Sequence, residues 1–521
     1  MSGYQAYGNG MYERLLSIGE FTGLDQSRGL HSGDVGSSPD AVNFIARFGD
    51  LRTSNGVAKY GAKIPNSSYE SVGGRLFQGF FRDEFGNDFS KIVMALHGRF
   101  YVSNTDAAQW TPIGATFSTN NWTAVNYRDD VNEWLIFTNG VDTAQYWDGK
   151  SSACMPLKIV QGKITETSVN EAGETVTVVT NPGEELHFSA ITLLHERLWG
   201  GVSADYPDRV YWSNSFDPND WELNYTDSEY DGGGFLDVAT FDGSRIRAIV
   251  NAMDDVLIFK DKSIHRLSGT YPGEFTLTQV FGTDGTLAPR TIVTNGSALW
   301  FLSSDGLCRY SGMEASPLSA LGDRKLKDIW ARINDSTIDS ACAVIKDNVI
   351  YLAVPLDGSI INTHVIEYHV LDGTYSIIDL PGVDDWLLLR EGQLETLLYL
   401  NADQIYRYDS GYTFDGAPIH ARWSSPMISC GTLSSRKQTG RIYLTVTAQS
   451  LNIQEMPKIK ISMFSGNKVR EKLIALKPGL NEIRKRVKIR GRMFRFQIEN
   501  VDGGPLIIHR GMEIHVEEDF D

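Results

Sequence analysis

Trp134-Leu-Ile-Phe137, a turn, and then Ala144-Gln-Tyr-Trp-Asp-Gly149 make up a unit that the chain repeats. An apolar run comes first, then a second run rich in aromatic and polar residues, closed by Gly or Asp. Short apolar runs bounded by Gly and Asp, with many β-branched and aromatic residues, read as strands. The unit returns as Leu198-Trp-Gly-Gly201 with Arg209-Val-Tyr-Trp-Ser213, and as Val256-Leu-Ile-Phe259 with Ser263-Ile-His-Arg-Leu-Ser-Gly269. It returns again as Ala298-Leu-Trp-Phe-Leu302 with Gly306-Leu-Cys-Arg-Tyr-Ser-Gly312, and as Asn348-Val-Ile-Tyr-Leu-Ala353 with His364-Val-Ile-Glu-Tyr368. Thr396-Leu-Leu-Tyr-Leu400 with Gln404-Ile-Tyr-Arg-Tyr-Asp409 ends the series, and Ile92-Val-Met-Ala-Leu96 with Arg99-Phe-Tyr-Val102 opens it. Copies recur roughly every 40–65 residues. A small sheet cannot bury both its faces alone, whereas stacking sheets around an axis covers each with its neighbours. The expected fold is all-β: a β-propeller of six or seven blades, with a C-terminal β-sandwich-like domain and an extended N-terminal arm.

Outward from the repeats, the chain divides into three. Residues 1–70 are punctuated by Gly and Ser, and only 41–48 is long enough for a short element, so they read as an extended arm with little core of its own that lies along another element or another subunit. Residues 71–426 are the propeller. Within it, 164–180 reads as a projecting hairpin of Thr/Val strands around a Glu-Ala-Gly turn. A helix is expected near 323–335, where Leu326, Ile329, Trp330 and Ile333 fall at helical spacing behind Asp323. Residues 427–521 break the repeat and form a basic β-domain, with strands at 442–446, 459–464 and 506–509 and turns at 465–467, 478–479 and 502–504.

Composition narrows the function. Fifty glycines and 11% aromatics in 521 residues suit short strands and tight turns. No apolar run is long enough to span a membrane, and the N-terminus has neither a basic region nor an apolar core of a secretory signal, so synthesis in a cytoplasm is expected. The net charge of −17 argues against a general nucleic-acid binder. That charge is uneven. From Gly431 to Asp521 there are 17 Lys and Arg against 10 Asp and Glu, a balance of +7, which leaves −24 on the first 430 residues. An acidic body with a basic end can pack head-to-tail with copies of itself.

No constellation nominates a catalytic, cofactor or metal site. Cys154, Cys308, Cys342 and Cys430 are far apart, and the ten histidines show no metal-ligand spacing. Ser215-Phe-Asp-Pro-Asn-Asp-Trp221 approximates the Asp-box turn of sialidase-type propellers, but its Trp comes one residue early and Asn219 stands where that turn has Gly. Asp217, Asn219 and Asp220 miss the spacing of a calcium loop, so a turn capped by its own side chains is the expectation. The sharpest feature is Arg484-Lys-Arg-Val-Lys-Ile-Arg-Gly-Arg492. In a strand, Arg484, Arg486, Lys488, Arg490 and Arg492 share one face, while Val487, Ile489 and Met493 turn to the core. Three partners suit such a row: solvent, an acidic neighbouring subunit, or DNA phosphate. The acidity of the remaining chain favours the subunit.

Several stretches resemble a known family. Phe21-Thr-Gly-Leu24, Ser38-Pro-Asp-Ala-Val-Asn-Phe44, Gly49-Asp-Leu-Arg52 and Gly56 are laid out as in the virion propeller proteins of tailed phages. These include the packaged-DNA stabilisation and tail-nozzle proteins of short-tailed phages. Arg209-Val-Tyr-Trp-Ser-Asn214 before Asp217-Pro218 and Trp221 is similar, as are Gly282-Thr-Asp-Gly285, Ala288-Pro289 and Ala298-Leu-Trp-Phe-Leu-Ser-Ser-Asp-Gly306. The resemblance covers roughly residues 20–425; the 164–180 hairpin and the basic C-terminal domain lie outside it. It implies a virion tail location after synthesis in the bacterial host. It also implies a homo-oligomeric ring, usually sixfold, below portal and adaptor, with viral DNA passing through its channel, and it carries no catalytic residues. The alternative function is a tail propeller that binds or degrades host-surface carbohydrate.

Overall fold

The computed structural model describes the chain except residues 1–4, 8–10, 28–33, 65–72, 115, 170–174, 223–231, 283, 313, 319–323, 452–455 and 520–521. Blade one is a meander of Arg75–Arg82, Asp88–Leu96, Arg99–Ser103 and Thr111–Pro112, each strand antiparallel to the next. Blades two to six follow in chain order within 123–156, 190–237, 246–280, 293–317 and 342–379, each again four strands. Blade seven consists of Asp385–Glu391, Leu394–Asn401 and Gln404–Tyr408, and its fourth strand is Val57–Lys59 from the beginning of the chain. Tyr406 pairs with Lys59 and Tyr408 with Val57. The propeller therefore has seven blades, and an N-terminal strand closes its ring.

Each quoted repeat contributes the second and third strands of one blade. The second strands are buried along most of their length, as in Val256-Leu-Ile-Phe259, because a neighbouring blade covers each face, while the third strands mix buried and more exposed positions. Seven apolar cores lie between adjacent blades. Phe81, Val93, Leu135 and Phe137 join blades one and two, and Ile92, Met94, Leu398 and Leu400 join blades seven and one. Fully burying one such side chain stabilises by about 1.5–3 kcal/mol, so the circle of cores is the main source of propeller stability.

The C-terminal region is a sandwich of two sheets. One sheet is built on Arg436–Ala448, which pairs with Gly479–Arg486, with Leu506–Ile508 and with Met512–Asp519. The other is ordered Lys468–Ala475, Lys458–Ser465, Arg495–Asn500, Arg422–Ser424 and Asp40–Val42. Strand positions agree with those expected, but the domain is not made by the C-terminal segment alone.

The described residues of 1–70 form short strands laid along the sandwich and blade seven, as an arm reaching to other elements would, but the expectation of little core needs correction. Met11–Ile18 pairs with Met512–Asp519 along eight residues, Asp40–Val42 with Arg422–Ser424, and Asp50–Thr53 with Leu506–Ile508. Phe21, Leu24, Phe44 and Leu51 are buried at 1–2% exposure. The physical reason is that this core is filled from distant parts of the chain. Phe21 packs edge-on against Trp423 at 5.2 Å, and Trp423 packs on Phe496 at 5.3 Å. The core between blades five and six runs on into the sandwich without a break, joining Trp300, Ile350 and Ile366 to Ile442, Ile461 and Ile514.

The expected helix is much shorter: a 3-10 turn at Arg324–Leu326 and one α-helical turn at Lys327–Trp330, with Asp323 outside the described residues. Leu326 and Ile329 are buried as the spacing suggested, but Ile333 bridges to Leu356 and the Asn334 amide donates to the Pro355 carbonyl at 3.0 Å. Pairing with blade six claims the backbone that a second helical turn would need. The hairpin forms as Ile164–Val169 against Thr175–Asn181, with its turn outside the described residues.

The joint between propeller and sandwich is made with the N-terminal stretches quoted above, around Gly23, Ser38, Asn43 and Gly56. The Asn43 amide donates to the Ile377 carbonyl at 2.9 Å, and its side chain accepts from the Asp379 amide at 2.8 Å and donates to the His420 carbonyl at 2.9 Å. Ser38 Oγ donates to the Ser424 carbonyl at 2.7 Å. Gly23, at φ +84°, lies so close to blade six that a Cβ would stand 2.7 Å from the Tyr375 carbonyl oxygen. Gly56 is equally tight, with a Cβ position 2.3 Å from the Thr413 carbonyl oxygen.

Candidate interface on the sandwich

Arg484, Arg486, Lys488, Arg490 and Arg492 are all exposed along one edge of the sandwich, while Val487 and Ile489 are buried. The alternation read from the sequence holds even though the ladder lapses between Gly479–Arg486 and the short strand Arg490–Gly491. Met493 is half-buried. Among the described residues, no carboxylate lies within ion-pair distance of any of the five cations. Arg484 stacks over the Tyr443 ring at 5.4 Å. Arg486 sits directly opposite Arg441, a like-charge pair that disfavours the isolated sheet. Arg490 Nε donates to Gln438 Oε1 at 3.0 Å, and Gln438 Nε2 donates to Glu517 Oε2 at 3.0 Å, so a polar chain crosses the sheet.

The row ends in a cleft of about 920 Å³ between the edges of the two sheets. Arg436, Lys437, Lys468, Arg490 and Arg492 line it, with Glu517 and Glu518 as the acids. Glu518 is fully buried, and its carboxylate is held by Arg14 Nε at 2.8 Å and by the Ser435 hydroxyl. Lys437, 1% exposed, donates from Nζ to the carbonyls of Thr432 and Ser435, the latter at 3.2 Å. Burial lowers its pKa from the ordinary lysine value. The mouth of the cleft thus carries Arg436, Lys468, Arg490 and Arg492 against Glu517. Sequence reasoning found the row and missed Arg436, Lys437 and Lys468, which reach it from other strands. The local signal for them was only the general basic excess after residue 430.

The Ser215–Trp221 turn is closed by its own groups, as expected. The Asn219 amide donates to Asp217 Oδ1 at 2.9 Å, the Asn214 amide to the Asp220 carbonyl at 2.7 Å, and buried Trp221 Nε1 to the Pro218 carbonyl at 2.9 Å. Among the described residues no group of three His, Cys, Asp or Glu side chains is placed to hold a metal ion.

No family model matches the chain, and no curated protein does. Solved structures with related arrangements include YCF48 from Cyanidioschyzon merolae, 9% identical, covering 67% of this chain and 98% of that one at a TM-score of 0.28. Apo AztD from Citrobacter koseri is 11% identical and covers 64% of this chain and 99% of that one at a TM-score of 0.31. At such scores neither likeness carries an argument, and the propeller is read from the strand pairing of this chain.

Proposed function

We propose that the chain is a non-catalytic structural subunit of a bacteriophage tail, forming a nozzle or hub ring between the portal-adaptor and the distal tail. The observation that carries this reading is the joint. Phe21–Leu24, Ser38–Phe44, Gly49–Arg52 and Gly56, the N-terminal part of the resemblance, lie where the sandwich meets blades five to seven. A family resemblance whose N-terminal part falls in a structural joint supports an architectural role over a chemical one.

Charge supports the mode of assembly. Among the described residues the five cations of the basic row form no ion pair, and the chain before residue 431 carries −24. Head-to-tail packing brings the basic row of one subunit against the acidic body of the next, and a rotation that closes produces a ring, sixfold by the resemblance. The channel of that ring is the passage for viral DNA.

Electron microscopy of the purified chain, alone and with portal and adaptor, tests this reading; rings support it, and a monomer under all assembly conditions overturns it. Arg486→Glu with Arg490→Glu separates the partners of the row. Loss of rings, with rings of the wild type loosening as salt rises, identifies an acidic neighbour. Intact rings with altered DNA retention identify phosphate, with a log–log salt slope of about −0.9 per phosphate neutralised. Turnover of a glycan that one carboxylate substitution abolishes would refute the non-catalytic reading.

A further inference from the structure

The propeller's central channel holds a second concentration of cations, independent of the sandwich. A cavity of about 480 Å³ opens where the innermost strands of blades one to four begin, a volume within the range of small-ligand sites. Arg75, Arg245, Arg247 and Arg290 line it, brought from blades one and four and from the turn before blade five. One acid, Asp339, shares the wall. The other carboxylates stand behind the arginines. Asp385 Oδ1 is 3.5 Å from Arg75 Nη1 and 3.0 Å from Arg290 Nη2, and its Oδ2 accepts from the Leu76 amide at 2.9 Å. Asp261 pairs with Arg247. Asp384 accepts from the amides of Ala402 and Gly73.

Two guanidiniums therefore share one carboxylate oxygen, at a side-chain exposure of 12% for all three groups. The Nε atoms of Arg75 and Arg290 are buried without a hydrogen-bond partner. Among the described residues none accepts from Arg290 Nη1, and none forms an ion pair with the exposed Arg245 side chain. Burial and the nearby charge of Arg290 lower the Arg75 pKa to about 10. Phe77, Val202 and Ile249 supply an apolar wall beside these charges.

We propose that this cavity binds a phosphate-bearing small molecule with an apolar body. A phosphate monoester offers three terminal oxygens and nearly two charges to the arginines that line the cavity from separate blades. A carboxylate offers two oxygens and one charge, too few for the same set.

Calorimetric titration of the full chain with phenyl phosphate, with benzoate as the carboxylate probe, tests the proposal. Phenyl phosphate should bind saturably, benzoate at least about tenfold more weakly. Arg245→Gln, an exposed change that leaves the Asp385 cluster intact, should weaken phenyl phosphate about tenfold, and Asp339→Asn should strengthen it. Arg486→Gln on the sandwich should change nothing. Absence of saturation up to about 10 mM, or one affinity for wild type, Arg245→Gln and Asp339→Asn, overturns the site and leaves the arginines as ties that close the ring. Equal affinity for benzoate overturns the choice of phosphate.

Discussion

Glu367 lies at 4% exposure between blades six and seven, and it should make the propeller less stable as pH rises. Burial pushes its pKa from the ordinary 4.5 up to about 7, against a hydrogen bond that Tyr408 donates to Oε1 at 2.7 Å. His369 stands 3.8 Å from Oε2, and burial lowers its own pKa, so it brings little compensating charge at neutral pH. For a carboxyl whose folded value is raised, the folded state holds its proton longer than the unfolded state. The contribution is complete below pH 4.5 and is lost as pH rises through 7. At 1.36 kcal/mol per pH unit, the loss approaches about 3 kcal/mol by pH 8. Glu367→Gln keeps the shape and the acceptor for Tyr408 but cannot ionise. The variant should be near wild type at pH 4 and more stable by about 2–3 kcal/mol at pH 8, after a small loss from a weaker hydrogen bond. Urea melts of both proteins from pH 4 to 8 give the difference curve. Asp384, raised by burial to about 6, changes stability with the same sign but is common to both proteins and cancels. A difference that stays constant across this range would refute the reasoning.

Starting the chain at Arg75 removes Val57–Lys59 and opens blade seven; circular dichroism and gel filtration should report loss of the cooperative melt, not a trimmed but stable propeller. Arg14→Leu strands buried Glu518 and should cost about 3 kcal/mol in chemical denaturation, largely recovered when Glu518→Gln is added. Trp423→Ala empties the contact between Phe21 and Phe496 and should cost about 3–5 kcal/mol by the same measurement. All four cysteines should resist a thiol reagent at pH 8 until the protein unfolds, since burial raises the thiols of Cys154 and Cys342 to about 12 and that of Cys430 to about 11, and Cys308 is buried. Rapid labelling of any one in the native state contradicts that packing.

The repeats were legible because the second strand of a blade is covered on both faces and so is apolar along its buried run, and the third follows it with aromatic residues at its buried positions. The flanking strands were not. The innermost strand of blade two, Thr123–Arg128, is largely half-exposed to the channel, and outer strands such as Thr111–Pro112 and Met155–Pro156 are short and exposed. Neither pattern has a period to read. The basic row was legible by the alternation of strands, and its cleft was not, because Arg436 and Lys468 arrive on strands whose pairing no local window contains. The first 70 residues misled for a related reason. Their buried positions include Ser37, Ser38, Ala41 and Ala46, small residues that fit close backbone approach and read as loop composition when the partner strand is hundreds of residues away.

That distance shapes how the molecule is assembled. Val57–Lys59 finds its partner only when Gln404–Tyr408 exists, and Met11–Ile18 only when Met512–Asp519 exists. Neither the ring nor the sandwich can close during synthesis of the first 400 residues, so the slow step is long-range strand capture after the chain is complete. The N-terminal residues leave an open blade-seven edge and an unpaired sandwich edge until then, both competent to pair with another chain. Because the strands that close blade seven and those that complete the sandwich are separated only by the Asn43 and Gly56 joints, the two closures are one event. A subunit with a closed ring has its sandwich already fixed against blades five and six, and so presents the basic row in a single orientation. In the proposed head-to-tail ring, pre-orientation of that kind would lower the entropic cost of packing and would discriminate against incomplete chains, which lack the row.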